Sequence, residues 1–476
     1  MHSTRRRVLA GLGVLLAGLA LATPAHAAGE AAVDGRLLGL LWVVPFAGLL
    51  LSIALLPLLA PKFWHHHFGK VGAAWACAFL LPFAAVHGLG TAWYEAAHMV
   101  LLDYVPFLAL VGALYITAGG VMLTGTLRGT PTVNTIMLGI GTLVASVVGT
   151  TGASMLLVRP MLRANAGRAR QTHTFVFFIF LVSNIGGSLT PLGDPPLFLG
   201  FLRGVSFFWP TTHLLAPMLM AAGLLLAIYF VLDTLAFRRE PQALRDFRPA
   251  PDPLGIDGWV NVALLGAILA TVLMVGLWQP GRFELLGQSL PIQVGVAVVL
   301  MMVISAVSLA LTRPVLRMAN GFSWGPILEV AKLFIAIFIT IIPALAILKA
   351  GPEGALAWLI ALTSRADGSP NPATYFWLSG GLSSFLDNAP TYLIFFNLAG
   401  GDPKLLMGDM AQILLAISCG SVFMGANSYI GNAPNFLVKA IAEEKGVPMP
   451  SFFAYCGWAT VFLIPIFLLM TPIFFR

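Results

Sequence analysis

A stretch of polar and helix-breaking residues interrupts a long apolar region between residues 183 and 196. Its glycines and its prolines, Pro191, Pro195 and Pro196, oppose a continuous helix, because each proline lacks an amide donor and clashes with the preceding turn. The stretch also contains a carboxylate, Asp194. Unwound backbone survives at membrane depth only where it lines a cavity or is buried in protein, and intramembrane carboxylates mark functional sites. We therefore predict a break in a transmembrane helix that presents oxygen atoms to a ligand. The alternative is a loop between two ordinary spans.

A second stretch, residues 425–437, aligns without gaps on residues 187–199. The identical pairs are Gly187/Gly425, Gly193/Gly431, Pro196/Pro434, Phe198/Phe436 and Leu199/Leu437. The pairs that keep an oxygen-bearing side chain are Thr190/Ser428 and Asp194/Asn432. Interrupted apolar segments at corresponding places in two halves of a chain are typical of a transporter's binding site.

The composition predicts a polytopic helical membrane protein. Of the residues, 58% are hydrophobic and only 9% are charged, whereas soluble domains carry about 25% charged residues. The net charge of +7 comes from basic residues in short loops, which the positive-inside rule explains without a nucleic-acid partner. The sequence contains no nucleotide-binding loop, metal-ligand cluster or nucleophile–base pair, so we expect neither an enzyme nor a cofactor.

The N-terminus has the features of a signal peptide over residues 1–27. Three arginines at 5–7 precede an apolar run at 8–22, and a small-residue cleavage pattern follows at 25–27. Cleavage would leave the mature N-terminus in the periplasm. The alternative is an uncleaved first span.

Hydropathy and the basic loops predict the order of the spans and their orientation. Ordinary spans are predicted at residues 37–60, 71–93, 106–127, 212–237, 259–278, 291–312, 325–349 and 452–475. Broken helices are predicted at 171–210 and 408–445. Residues 132–162 have basic flanks on both sides and a second arm shorter than the roughly 20 residues that a span needs. We therefore predict a re-entrant hairpin with its tip near 150–154, and a second hairpin at 373–397.

Together these elements predict an all-α polytopic membrane protein with an inverted-topology repeat, two re-entrant hairpins and two broken transmembrane helices. The first repeat covers residues 28–237 and the second covers residues 259–476. A polar cytoplasmic linker, residues 238–258, joins them.

The candidate binding residues surround two carboxylates that should lie near the bilayer midplane. The predicted ion- or substrate-binding residues are Asn184, Thr190, Gly193, Asp194, Asp387, Asn388, Thr391, Asn427, Ser428, Asn432 and Asn435. This set is rich in oxygen and poor in positive charge. Hard cations such as sodium bind oxygen ligands, so Asp194 and Asp387 are predicted to ligate transported sodium. Carboxylates removed from water can also exchange protons near neutral pH.

An anionic substrate stays open as an alternative. A polyanion such as citrate would favour Arg or Lys at its site, and Arg159, on the second arm of the first hairpin, is the candidate. Helix N-termini at the breaks, or bound sodium, could also stabilise a carboxylate ligand. Charge balance therefore favours a cation without excluding an anion.

Three runs resemble signatures of the ion transporter superfamily. They are Asn184–Asp194, Ser384–Thr391 and Gly425–Asn435. The chain resembles NhaD-type sodium/proton antiporters and a related citrate transporter branch. The Ser-Asn-Thr signatures of the superfamily's dicarboxylate symporters are absent from both predicted hairpin tips. The resemblance implies transport by alternating access and a homodimer.

We therefore expect a multi-pass transporter of a bacterial-type inner membrane that exchanges sodium or lithium for protons. The alternative is a cation-coupled carrier of citrate or another carboxylate. The expected partners are sodium, protons or citrate as cargo, the lipid bilayer and a second copy of the chain.

Overall fold

The computed structural model describes residues 33–246 and 252–476. The predicted signal peptide, residues 1–27, lies outside the described residues. Within them, nine helices are long and apolar enough to cross a membrane, or ten if one bent pair counts as a span. Large apolar side chains such as Leu81 and Val86 are more than 60% exposed on these helices, as lipid-facing side chains would be. The prediction of an all-α polytopic membrane protein is confirmed.

The first half runs from a short irregular segment to a long helix that ends at Arg238. Its elements are the 3₁₀ turns Gly35–Leu37 and Leu40–Val43, α1 (Val44–Leu59), α2 (Pro61–His87), α3 (Leu89–Met99), the π-helical turn Val100–Tyr104, α4 (Val105–Ala118), β1 (Met122–Thr124), α5 (Pro131–Val148), α6 (Thr150–Ala164), α7 (Thr172–Leu181), the 3₁₀ turn Ile185–Leu189, α8 (Pro195–Leu202), α9 (Trp209–Arg238) and α10 (Gln242–Asp246).

The second half has the same succession of spans, paired helices, interrupted helix and closing span. Its elements are β2 (Gly255–Asp257), α11 (Trp259–Leu277), β3 (Arg282–Leu285), β4 (Gln288–Pro291), α12 (Ile292–Leu311), α13 (Pro314–Ala319), α14 (Gly325–Thr340), α15 (Ile342–Lys349), the 3₁₀ turn Gly351–Glu353, α16 (Ala357–Thr363), α17 (Pro372–Ser383), α18 (Asn388–Leu398), α19 (Pro403–Met407), α20 (Ala411–Phe423), the 3₁₀ turn Met424–Asn427, α21 (Ala433–Glu444) and α22 (Phe452–Phe474).

The first three spans pack against the first three spans of the second half, and we call this group (α1–α4 and α11–α15) the scaffold. Phe107 of α4 stacks on Phe334 of α14 with ring centroids 4.7 Å apart. Gly72 of α2 lies against Ala336 of α14, so closely that an added Cβ would be 3.1 Å from the alanine side chain. Small and aromatic residues thus allow close helix packing, as in other membrane bundles.

The helices α5 and α6 form a hairpin. The start of α5 and the end of α6, which lie away from the turn, are in contact. The Gly129 amide donates to the Ala164 carbonyl at 2.7 Å, and the side chains of Asn134 and Asn165 exchange two hydrogen bonds of 2.9 and 3.0 Å. The turn is Gly149 alone, which has a positive φ of 82°. The predicted tip near 150–154 is therefore shifted, because only glycine adopts this conformation readily.

The helices α17 and α18 form the second pair. Tyr375 and Phe395 lie near their open ends, in edge-to-face contact 6.2 Å apart. The connecting turn, residues 384–387, is followed directly by α18, whose N-cap is Asp387. Both predicted helix pairs are thus present, and each is followed by an interrupted helix.

Three details of the spans differ from the sequence-based prediction. The second span begins at Pro61 instead of residue 71, because proline is well suited to the first helical position. Residues 61–70, which lie between the first two predicted spans, are consequently helical. The predicted span 325–349 bends by 41° between α14 and α15, next to Pro343, which lacks the amide donor of an unbroken helix. Short antiparallel strand pairs, β1–β2 and β3–β4, were also not predicted.

The loop after α6 and the start of the linker lie at the same end of the molecule. The Glu240 carboxylate accepts hydrogen bonds from the Ala169 amide at 3.2 Å and the Arg170 amide at 2.9 Å. Arg168 forms a buried ion pair with Asp233 of α9. An even number of membrane crossings therefore separates these two segments.

This contact predicts the outcome of cysteine labelling. In a variant without Cys77, Cys419 and Cys456, cysteines introduced at the exposed positions Ala166 and Gln242 should react with an impermeant maleimide from the same face. Inside-out and right-side-out vesicles distinguish the faces, and the positive-inside rule predicts that this face is cytoplasmic.

The control position for this labelling is Leu286, which lies in the β3–β4 turn and is 58% exposed. A cysteine there should react from the opposite face. Labelling of positions 166 and 242 from different faces would contradict the fold.

Candidate functional site

The side chain of Asp194 lies where both hairpin tips and both interrupted helices meet. It is 1% exposed. The Thr150 hydroxyl and the Asn432 amide donate to Oδ1 at 3.0 and 3.1 Å. The Asn388 amide donates to Oδ2 at 2.5 Å. One carboxylate therefore bonds to three other elements, from both halves of the chain.

Each of these four residues lies at the start of a helix. Thr150 begins α6, Asn388 begins α18, and Asp194 and Asn432 are the N-caps of α8 and α21. A helix N-terminus carries a partial positive charge of roughly +0.5. Four of them therefore converge on the same small volume, where they favour a buried negative charge.

A pair of asparagines joins the two interrupted helices next to this carboxylate. The Asn184 amide donates to the Asn435 side-chain oxygen at 2.7 Å and to the Ile179 carbonyl at 2.8 Å. The Asn435 amide in turn donates to the carbonyls of Gly425 and Ser428, both at 2.8 Å. Both asparagines are fully buried, so these bonds hold the two breaks together.

In each half, two hydroxyl groups bond the break to its hairpin, and these groups lie at corresponding positions of the two halves. The Ser146 hydroxyl donates to the Gly186 carbonyl, and the Thr190 hydroxyl donates to the Ser146 carbonyl at 2.5 Å. In the second half, the Ser384 hydroxyl donates to the Met424 carbonyl at 3.2 Å, and the Ser428 hydroxyl donates to the Ser384 carbonyl at 2.5 Å. The gapless sequence alignment of the breaks thus extends back into the hairpins.

Glycine permits the closest backbone contacts at the breaks. A Cβ on Gly193 would lie 2.1 Å from the Gly187 carbonyl oxygen, and a Cβ on Gly431 would lie 2.6 Å from the Gly425 carbonyl oxygen. The Gly193 carbonyl also accepts the Thr150 amide at 2.8 Å. The conformation that presents Asp194 therefore requires glycine.

Asp387 differs from Asp194 in its environment. It is half-buried and caps its own helix, accepting the Ala389 amide at 3.0 Å. The corresponding residue of the first half is Gly149, so each half contributes one carboxylate at a different position. Among the described residues, no Lys or Arg forms an ion pair with either carboxylate. Neutral donors and helix N-termini supply the surrounding positive potential.

The remaining predicted residues lie close to this site, with different contacts. The Thr391 hydroxyl donates to the Asp387 carbonyl at 3.1 Å. The Asn427 amide donates to the Ser384 hydroxyl at 2.8 Å. The side-chain oxygens of Asn388 and Asn427 are buried without a hydrogen-bond partner among the described residues. These two oxygens are available to a ligand.

Two residues of the site were missed by sequence reasoning. Thr150 was assigned to a hairpin tip but not to the site, and Ser146 was not considered. Extending the repeat alignment into the hairpins would have indicated both, since Ser146 aligns with Ser384 and Thr150 aligns with Asn388. In contrast, the predicted anion candidate Arg159 packs against Gly321 and makes no hydrogen bond to the residues of this site.

Comparison with known proteins agrees with this architecture. No curated protein matches the chain. The family described as "Putative citrate transport" matches residues 35–475, which include both hairpins, both interrupted helices and the scaffold. The match supports the citrate branch of the resemblance and does not extend to the antiporters specifically. The chain belongs to this citrate-transport family of multi-pass membrane proteins.

Proposed function

We propose that the protein is a secondary transporter that exchanges sodium or lithium for protons by alternating access. The observation that carries this proposal is the buried Asp194 carboxylate, bonded to both hairpin tips and to the second break without a Lys or Arg partner among the described residues. A carboxylate in this position can hold either a proton or a cation. Asp387 would supply a second carboxylate oxygen from the neighbouring tip.

Alternating access needs one group of elements to move against another. The hairpins and interrupted helices form one such group, since the bonds of Asp194 and the Asn184–Asn435 pair cross-link them. The span α9 packs with this group, because the Thr211 hydroxyl donates to the Leu189 carbonyl at 2.6 Å. We call these elements, with α22, the transport unit. We propose that they move against the scaffold.

The topology that we propose follows from the repeat. Residues 28–237 and 259–476 are inverted repeats joined by the cytoplasmic linker 238–258, so the hairpins enter the membrane from opposite faces. The mature N-terminus is periplasmic, the membrane is a bacterial inner membrane, and the protein works as a homodimer. The repeated hydroxyl bonds of the two breaks support the repeat itself.

A second candidate is cation-coupled transport of citrate or another carboxylate. The family match favours it, and so does the convergence of four helix N-termini, which can bind a carboxylate without Arg or Lys. In this case the carboxylates would bind the coupling cation and the helix N-termini would bind the substrate.

Flux measurements with the purified protein in proteoliposomes separate the two candidates. For the antiporter, sodium or lithium alone should dissipate a preset pH gradient, without an organic anion. Raising the pH should lower the apparent sodium constant until the carboxylates are ionised, because a protonated carboxyl cannot ligate sodium. The Asp387→Asn variant should lose this flux while staying folded, because the amide keeps the shape and removes the charge.

The control is Asp257→Asn, which makes the same change at an exposed carboxylate and should leave the flux unchanged. Accumulation of labelled citrate against its gradient, without sodium-dependent proton flux, would refute antiport and establish the second candidate. Normal flux in Asp387→Asn would remove Asp387 from the proposed cation site.

A further inference from the structure

We propose that the ion pair between Arg203 and Asp103 is a gate, which ties the transport unit to the scaffold on the side predicted to face outside. The inference rests on the proposed function in one respect: it assumes transport by alternating access. It does not depend on whether the cargo is a cation or a carboxylate.

The two side chains face each other in a largely buried contact. The Arg203 guanidinium donates to Oδ1 of Asp103 at 3.2 Å and to Oδ2 at 3.3 Å. The side chain of Asp103 is 7% exposed and that of Arg203 is 19% exposed. A paired charge at this depth keeps a defined geometry, and removing one partner leaves the other uncompensated.

The pair joins the central site to the scaffold through one short helix. Asp194 is the N-cap of α8 and Arg203 is its C-cap, so the two residues lie about 13 Å apart along a helix that rises 1.5 Å per residue. Gly200 of α8 lies close to Tyr392 of α18, where an added Cβ would be 2.3 Å from the tyrosine oxygen. The helix α8 is therefore fixed to the second hairpin, and its displacement would move both Asp194 and Arg203.

The rest of the contact between α8 and the scaffold is apolar. Phe198 and Phe201 of α8 face Leu110 of α4, Val272 of α11 and Met301 of α12 across a crevice of about 20 Å3 with no polar lining side chain. Apolar surfaces can slide past each other because dispersion contacts have no preferred direction. The ion pair is the one directional side-chain bond between α8 and the scaffold among the described residues.

Asp103 lies in the π-helical turn Val100–Tyr104, between α3 and α4. Such single π turns are rare and occur frequently at functional sites, because the extra residue redirects the side chains of one turn. This turn is the part of the scaffold span that reaches Arg203.

Other charged side chains border the same cavity as the ion pair. A cavity of about 630 Å3, which we call the vestibule, borders Arg203, Asp103, Glu95, His98 and Lys349. The Glu95 carboxylate accepts the Val33 amide at 3.1 Å, and His98 bonds to Gln288 at 3.0 Å. These contacts hold Glu95 and His98 to elements that precede or belong to the scaffold. When the gate opens, the vestibule would extend along α8 toward Asp194.

Arg36, which also borders the vestibule, forms an ion pair that should not act as a gate. Arg36 bonds to Asp34 at 2.7 Å and to Glu353 at 3.2 Å. Arg36 precedes α1 and Glu353 follows α15, so this pair joins scaffold elements to each other. Its side chains are 58% and 70% exposed, and exposed pairs contribute little energy.

Cross-linking tests the gate directly. In a variant without native cysteines, Asp103→Cys and Arg203→Cys are joined by a cleavable bifunctional thiosulfonate, whose spacer replaces the length of the two removed side chains. The readout is whichever flux, sodium-dependent proton flux or citrate uptake, the uncross-linked protein shows in proteoliposomes. We expect the cross-linked protein to stop transporting and to recover when the linker is cleaved. The control pair, Arg36→Cys with Glu353→Cys, should transport normally when cross-linked.

Charge substitutions provide a second readout. Asp103→Asn and Arg203→Gln should each lower the flux at least tenfold, because removing one partner leaves the other charge uncompensated in a largely buried contact, and the swap Asp103→Arg with Arg203→Asp should recover much of it. Full transport by a completely cross-linked 103–203 pair would overturn the gate. The measured flux would then still stand as support for the proposed function.

Discussion

Replacing Asp194 with asparagine should lower the transport rate by about 100-fold or more, while the protein stays folded. The substitution removes the charge that three donors and four helix N-termini surround. The NH2 group of the new asparagine would also face the NH2 group of Asn388 or Asn432, so that two donors would oppose each other. Losing charged hydrogen bonds of this kind costs about 3 kcal/mol, which corresponds to about two orders of magnitude in rate.

The measurement is initial flux in proteoliposomes, with the folded state checked by size-exclusion chromatography and thermal unfolding in detergent. Asn432 already occupies the corresponding position of the second half, so the backbone of a break tolerates an amide. Asp257→Asn is the matched control and should behave like the parent protein. A normal flux in Asp194→Asn would show that the carboxylate has only a structural role.

Substituting alanine for Gly193 should destabilise the protein by about 3 kcal/mol, the upper part of the range for overpacked sites. The added Cβ would lie 2.1 Å from the Gly187 carbonyl oxygen, which belongs to the backbone and cannot move aside without opening the break. Gly431→Ala in the second half should have a smaller effect in the same direction, since its closest contact is 2.6 Å. The thermal unfolding midpoint in detergent measures both effects.

Gly223 provides the matched control within the long helix α9. An added Cβ there meets no atom within 4 Å, and alanine is favoured over glycine inside a helix by about 0.5–1 kcal/mol. Gly223→Ala should therefore be neutral or slightly stabilising. An equal loss of stability at Gly193 and Gly223 would contradict the close packing of the break.

The class of the protein and the positions of its breaks follow from local sequence. Apolar segments about 20 residues long predict spans, because a bilayer core of about 30 Å requires that length of helix. Pro191, Pro195 and Gly193 predict the first break, because the loss of an amide donor and conformational freedom are properties of single residues. The alignment of the two breaks also predicted that Asp194 and Asn432 occupy corresponding positions.

Local sequence patterns predicted helix boundaries less well where a helix can begin at several different residues. Pro61 begins the second span ten residues earlier than hydropathy predicts, and Gly149 forms the hairpin turn alone. The bend after α14 depends on one proline within an otherwise apolar helix. In these places the packing of neighbouring helices selects among conformations that the sequence permits.

Only the tertiary structure decides which side chains share a site. Thr150, Asn388 and Asn432 bond to Asp194 across separations of 44 to 238 residues, and Asn184 bonds to Asn435 across 251 residues. Arg203 similarly reaches Asp103 across 100 residues. The spacing of apolar residues shows only which face of one helix is apolar. It therefore does not indicate which residues far apart in the sequence are in contact. The sequence alone therefore determined the membrane class, the two breaks and the correspondence between them, whereas packing between the halves determined the carboxylate's partners and the scaffold contact.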